Sequence, residues 1–201
     1  MTISLIKQTS PGRLTVTLES GEEIKTTLGV VTDMRLFSGK ELDAALTDEL
    51  RLSSRRALAR EKALEYLSRR PMSRAELKKK LLEKGFEEDT ADYCVLWLSE
   101  NALIDDESYA AAVARHYAAK GYGAGRIKNE LSKRGICREL WGGALDAAPD
   151  NSGKIDRFIS SRLTDPCDRA QIGKVSQALY RRGYSWEEIR EALSRFSAEA
   201  E

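Results

Sequence analysis

Apolar residues recur along most of this chain at offsets of three and four, and one arrangement of them occurs three times. In each case a helical stripe ends in a basic residue and a glycine, and a large apolar residue follows. The copies are Leu77, Leu81, Lys84-Gly85-Phe86; Ile127, Leu131, Arg134-Gly135-Ile136; and Val175, Leu179, Arg182-Gly183-Tyr184, with the glycines 50 and 48 residues apart. A period near 50 carrying helical spacing predicts tandem helical units. Past each glycine the stripe resumes with Ala91, Cys94 and Val95, then Trp141, Ala144 and Leu145, then Ile189, Ala192 and Leu193. Upstream lie Ala63, Leu64 and Leu67, then Tyr109, Val113 and Tyr117; the third unit begins less regularly, with Ile155, Phe158, Ile159 and Leu163. Each unit therefore reads as three helices. The buried stripe is expected to contain Leu77, Leu81, Val95, Ile127, Leu131, Leu145, Val175, Leu179, Ile189 and Leu193.

The punctuation fits. Ser73 with Glu76, and Ser185 with Glu188, are capping-box pairs, and Asp105 or Asp106 can cap the helix bearing Tyr109. Glycine after a basic residue suits a helix C-terminus, where a left-handed residue and a cation are both favoured.

The first fifty residues follow a different period. Residues 13–19 alternate polar and apolar, Ser20-Gly21 is a turn signal, and residues 22–27 can return as a partner strand. Residues 4–8 can add a third strand before the turn at Ser10-Pro11-Gly12, and residues 28–37 read as a short helix. This module is either an independent contact surface or a cap on the helical units. The expected fold is mostly α: an elongated tandem array of three three-helix repeats (51–103, 104–148 and 149–201) preceded by a small strand-containing module at 1–50.

Composition adds one fact that the pattern does not. Net charge is only +1, yet residues 51–85 hold 12 basic against 4 acidic side chains, and residues 86–150 hold 7 against 12. Such segregation suits contact with a polyanion or an acidic protein surface through one region. The candidates for contact are Arg55, Arg56, Arg60, Lys62, Arg69, Arg70, Lys78, Lys79, Lys80, Lys84, Arg126, Lys128, Lys133, Arg134, Arg181 and Arg182. The competing reading is a solvated helix face. Lys79 should point directly away from the Leu77–Leu81 stripe.

Catalytic constellations are lacking. His116 is the single histidine, the three cysteines form no C-x-x-C, and adjacent Asp105 and Asp106 do not face each other on a helix. Residues 120–126 (Lys120-Gly121-Tyr122-Gly123-Ala124-Gly125-Arg126) look like a phosphate loop but lack the P-loop consensus and join two helices, so a turn and helix start is expected. Tyr93 and Trp97, four apart and off the main stripe, are expected to pack against a neighbouring unit. No cofactor, metal or enzymatic activity is expected. No apolar run approaches a membrane span and the N-terminus lacks the pattern of a secretory signal, so a cytoplasmic monomer is expected.

Read together, three phrases resemble the RecX family of bacterial recombinase regulators. They are Ala63-Leu64-x-x-Leu67-x-x-Arg70-Pro71-x-Ser73-x-x-Glu76-Leu77-x-x-x-Leu81-x-x-Lys84-Gly85-Phe86; Leu103-Ile104-Asp105-Asp106-x-x-Tyr109-Ala110; and Lys120-Gly121-Tyr122-Gly123-x-x-x-Ile127-x-x-x-Leu131-x-x-Arg134-Gly135-Ile136. The resemblance covers about residues 55–195. It implies a non-enzymatic protein that binds the RecA recombinase, above all its filament on DNA, and modulates filament growth, ATP hydrolysis and strand exchange. The alternative is direct DNA or RNA binding through a basic helical face, and a weak DNA contact is compatible with either.

Overall fold

The computed structural model of the chain describes residues 1–150 and 152–199. Strands β1 (Ile3–Ser10), β2 (Arg13–Leu18) and β3 (Glu23–Thr27) form an antiparallel sheet in the order β1-β2-β3. The alternation in β2 sets the register: Val16 lies opposite Ile6 on one side and Ile24 on the other. The buried positions Ile3, Val16, Leu18 and Ile24 pack with Val30, Leu36, Leu42, Leu50 and Ala57. Three strands need such a partner, since a small sheet alone is marginal in water.

Helix α1 (Leu28–Asp33) is shorter than the expected 28–37, because Arg35 adopts a left-handed backbone at φ 49° and turns Leu36 into the core. Helix α2 (Ala44–Arg69) starts on the Asp43 cap, whose carboxylate accepts from the Leu46 N–H at 2.7 Å. It is 26 residues long and runs through the division between 50 and 51 drawn from the pattern. Its inner face is built from small residues (Ser54, Ala57, Ala59 and Ala63), which lets β3 and helix α4 (Glu88–Glu100) approach closely. Ser54 Oγ donates to Thr26 Oγ1 at 2.8 Å, which satisfies both buried hydroxyls. Helix α3 (Arg74–Glu83) buries Leu77 and Leu81. By their contacts, residues 1–71 and 76–104 form one compact unit, while 72–75 join 105–201 in a second.

The second unit holds two three-helix repeats. Helices α5 (Asp106–Ala119), α6 (Ala124–Lys133) and α7 (Trp141–Asp146), the last preceded by a 3-10 turn at Arg138–Leu140, enclose Val113, Ala114, Ala118, Ile127, Leu131, Ile136 and Ala144. Helices α8 (Ser152–Ser160), α9 (Arg169–Arg181) and α10 (Trp186–Glu199) enclose Ile155, Ile159, Leu163, Val175, Leu179, Tyr184, Ile189 and Ala192. Two of the expected caps are present here. Asp105 accepts from the N–H groups of Glu107 and Ser108, and Ser185 and Glu188 exchange hydrogen bonds at 2.7 and 3.1 Å.

Between these two repeats, backbone meets backbone. The Gly123 N–H donates to the Arg182 carbonyl at 3.0 Å and the Gly125 N–H to the Gly183 carbonyl at 2.9 Å. The Tyr184 hydroxyl donates to the Gly121 carbonyl, and Lys154 Nζ donates to the carbonyls of Ala118 and Ala119. Gly183, at φ +92°, leaves no room for a Cβ against the Arg126 backbone. Fifty residues earlier in the pattern the arrangement repeats within the same unit: Ser73 Oγ donates to the Arg134 carbonyl, and a Cβ at Gly135 would collide with the Ala75 methyl.

The buried stripe differs from the expected one at its flank. Leu77, Leu81, Ile127, Leu131, Val175, Leu179 and Ile189 are buried, whereas Val95, Leu145 and Leu193 are half-buried. In α4 the fully buried stripe is Ala91, Cys94 and Leu98, with Val95 one position off its axis. Leu64 is 43% exposed, since its neighbour Ala63 faces inward.

Leu131→Ala should therefore destabilise the protein by about 2–5 kcal/mol in urea unfolding, while Leu64→Ala should cost less than about 1 kcal/mol. Equal losses at the two positions would show that the stripe is misassigned.

Candidate functional site

The basic candidates of the first unit stand mainly on α2 and α3, and most have partners. Arg55 pairs with Glu87 at 2.7 Å, Lys62 and Arg69 both pair with Glu65 at 2.6 Å, and Arg70 pairs with Glu76 at 3.2 Å. Lys78 bridges Glu88 and Asp92 of α4 at 2.9 and 2.7 Å, contacts that raise its affinity for its proton. The acidic stretch after residue 86 thus partly neutralises the basic stretch before it.

Arg56 and Arg60 have aromatic partners. Their guanidinium groups lie 3.8 Å from the Tyr93 ring centroid and 4.8 Å from that of Trp97. This corrects the expectation that Tyr93 and Trp97 pack against a neighbouring unit. The two rings lie four apart on α4, the two arginines four apart on α2, and the pairs stack in register as cation–π contacts. Lys80 is half-buried near the Tyr66 ring. Lys79 points outward as expected, its side chain 78% exposed and 3.9 Å from Glu83. Lys84 is exposed and borders an open cleft of about 560 Å³ between the sheet and the helices, lined also by Arg13, Lys25, Lys62, Glu65 and Phe86.

In the second unit, Arg126, Lys133 and Arg134 converge on one residue that charge counting overlooked. The Glu130 carboxylate, 7% exposed, accepts from Arg134 at 2.8 Å, Arg126 at 3.1 Å and Lys133 at 3.2 Å. The Tyr117 hydroxyl donates to it at 3.1 Å. The Arg134 hydrogen bond, with those from Lys133 and Tyr117, holds the Glu130 pKa down at about 2 against the cost of burial. The signal was legible: cations stand four before, three after and four after a single glutamate, all on one side of a helix.

Lys128, Arg138 and Arg181 border an open groove of about 730 Å³, together with Trp141, Tyr180 and the Gly125–Gly183 contact. Arg182 lies 4.6 Å from the Phe158 ring centroid instead. His116 is exposed at the end of α5, edge-on to Tyr117. Among the described residues, no group of three or more His, Cys, Asp or Glu side chains is placed to hold a metal ion, and no helix is long and apolar enough to cross a membrane.

Each three-helix repeat overlaps a matched family domain. The first three-helix domain of RecX matches residues 59–98, the second 105–145 and the third 161–193. The regulatory protein RecX of Xanthomonas axonopodis pv. citri is 37% identical over 142 residues, spanning 69% of this chain and 87% of that protein. The chain belongs to the RecX family. The RecX of Vibrio campbellii is 29% identical over 139 residues, spanning 68% of this chain and 90% of that protein. A crystal structure of regulatory protein RecX superposes with a TM-score of 0.74 at 26% identity, covering 96% of this chain and 98% of that one. RecX from Lactobacillus salivarius gives a TM-score of 0.65 at 25% identity, covering 72% of this chain and 97% of that one. The likeness to the first structure thus extends over nearly the whole chain, although the matched RecX domains begin only at residue 59. The third RecX match starts after α8, the helix whose stripe was least regular in the sequence.

The Glu130 cluster makes a pH prediction. Its pKa is lower folded (about 2) than the ordinary 4.5, so its contribution is present above pH 4.5 and lost as pH falls toward 2. Glu130→Gln should lower the urea midpoint at neutral pH, and the gap to the parent protein should close across that acid window. A gap independent of pH would mean that the carboxylate's charge contributes nothing.

Proposed function

We propose that this protein is a non-enzymatic regulator that binds the RecA recombinase, principally as its filament on DNA, and alters filament growth, ATP hydrolysis and strand exchange. The observation that carries the reading is the match of all three repeats to RecX domains, in relatives named as regulatory proteins. The architecture supports it. Repeats of this kind act by presenting surface to a partner, and Glu130, the residue with the most unusual environment, is engaged in ion pairs within α6 and a hydrogen bond from Tyr117 of α5.

The cations left for contact are narrower than the sequence suggested. Lys79 and Lys84 of the first unit and Lys128 and Arg181 of the second are exposed. Among the described residues, only Lys79 of these four has a carboxylate within 4 Å, and that one at 3.9 Å. Each contributes little alone; several on one partner add through effective concentration.

The test is co-sedimentation with recombinase filaments on single-stranded DNA, alongside the recombinase ATPase and strand-exchange rates. The parent protein should sediment with filaments and change both rates. The double variant Lys79→Glu/Lys84→Glu should bind filaments more weakly while losing less than about 0.5 kcal/mol of stability. The difference should narrow as salt rises, because exposed charges are screened. If the parent protein neither sediments with filaments nor changes either rate, the reading fails. If the parent binds but the double variant binds equally at every salt concentration, the contact lies elsewhere.

A further inference from the structure

We infer that the pocket formed by α1, α2 and α4 docks a helix of a partner protein whose charges run in a set order: two carboxylates four positions apart, then a basic residue seven positions further on. This goes beyond the recombinase reading, because it uses none of the exposed cations assigned there and is tested without recombinase. The site lies wholly in the first unit.

Two unengaged arginines are the first observation. Helix α2 carries six basic side chains: Arg51, Arg55, Arg56, Arg60, Lys62 and Arg69. Four of them are tied to carboxylates, Arg51 to Glu22 and Asp48, Arg55 to Glu87, and Lys62 and Arg69 to Glu65. Among the described residues, Arg56 and Arg60 have no carboxylate within 4 Å and no hydrogen bond, and Arg56 Nε is buried without an acceptor. The rings of Tyr93 and Trp97 fix where the two guanidinium groups stand, but an aromatic face accepts no ordinary hydrogen bond. Each group therefore keeps a planar fork of donors, the shape that binds a carboxylate through two hydrogen bonds. The side chains are already ordered by their rings, which lowers the cost of binding.

The second observation is what shares the pocket with them. Arg56, Arg60 and Tyr93 line an open pocket of about 240 Å³ together with Asp33, Glu49 and Met34. Both acids are exposed, and among the described residues neither has a cation within 4 Å. Glu49, Arg56 and Arg60 are spaced by seven and four along α2, so they follow one face, about 10 Å and then about 6 Å apart. The pocket thus presents both signs of charge in a fixed order, with Asp33 reinforcing the negative part.

That order selects the occupant. A nucleic-acid strand or a uniformly acidic peptide would bring anions against Asp33 and Glu49. A helix with Glu at i and i+4 and Lys at i+11, laid antiparallel to α2, places its carboxylates on Arg60 and Arg56 and its ammonium on Glu49. Acids toward its N-terminus and a cation toward its C-terminus also suit that helix's own dipole.

Fluorescence anisotropy of the full chain with labelled helical peptides on an alanine background tests this. The peptide with Glu, Glu and Lys at these spacings should bind roughly tenfold or more tightly than one with all three charges reversed. It should also bind more tightly than one with Glu at all three positions. Arg56→Gln/Arg60→Gln should erase the first preference. Asp33→Asn/Glu49→Gln should erase the second and keep most of the first; both acids are exposed, so this variant should melt like the parent protein. The inference is overturned if the parent protein binds the three peptides equally or binds none. It is also overturned if the folded arginine variant keeps the first preference, or if the acid variant keeps the second. Displacement of the peptide by oligothymidine at equal charge concentration would overturn it too, leaving a site for any anion.

Discussion

The start of α6 and the end of α9 solve each other's problem, and the second unit depends on that solution. The first N–H groups of any helix and its last carbonyls have no partner within the helix. Here the Gly123 and Gly125 N–H groups meet the Arg182 and Gly183 carbonyls directly. The positive end of one helix dipole also faces the negative end of another, so the contact is favourable electrostatically as well as by hydrogen bonding. Such an approach leaves no volume for side chains, which is why three glycines stand at it. The earlier copy keeps the acceptor and changes the donor: Ser73 supplies a hydroxyl to the Arg134 carbonyl, and Ala75 fits only because Gly135 opposes it. The near-50 period in the sequence is thus the period of a contact as well as of a stripe.

Charge in this protein has two jobs that composition cannot separate. Glu130 draws Arg126, Lys133 and Arg134 into one cluster on α6, and the Arg134 carbonyl of that same turn accepts from Ser73. Lys78 and Arg55 reach acids on or just before α4, and Arg56 and Arg60 lie on its rings. The basic surplus of residues 51–85 therefore does much of its work inside the fold. The exposed cations that remain are fewer and more dispersed, and those of the second unit lie beside aromatic faces.

What could be read from the sequence follows from interaction range. The helices, the hairpin and the Ser185–Glu188 and Asp105 caps depend on neighbours within about four positions, and apart from the end of α1 and the start of α2 they are found where the pattern placed them. The Glu130 cluster has the same range and was legible in principle, but tallying charge by segment hides it. The partners of Arg55, Arg56 and Lys78 are 32, 37 and 10 or 14 positions away, and only the packing of α2 and α3 on α4 brings them together. Gly123 and Gly125 carried a signal whose meaning was wider than a turn: the loop resembled one that cradles phosphate, and its exposed N–H groups do meet acceptors, those of another helix end. The start of α2 at Ala44 was hidden because its inner face is made of small residues and gives little apolar contrast.

The central claim is that backbone pairing between α6 and α9 holds the second and third repeats as one body. Amide hydrogen exchange at Gly123 and Gly125 tests it most directly. Both N–H groups lie outside any intrahelical ladder, so only the pairing can protect them. The account predicts exchange nearly as slow as in the core of α5, and fast exchange in Gly183→Ala, whose added methyl would push the two backbones apart. Exchange at the rate of an open loop in the unsubstituted protein would contradict it.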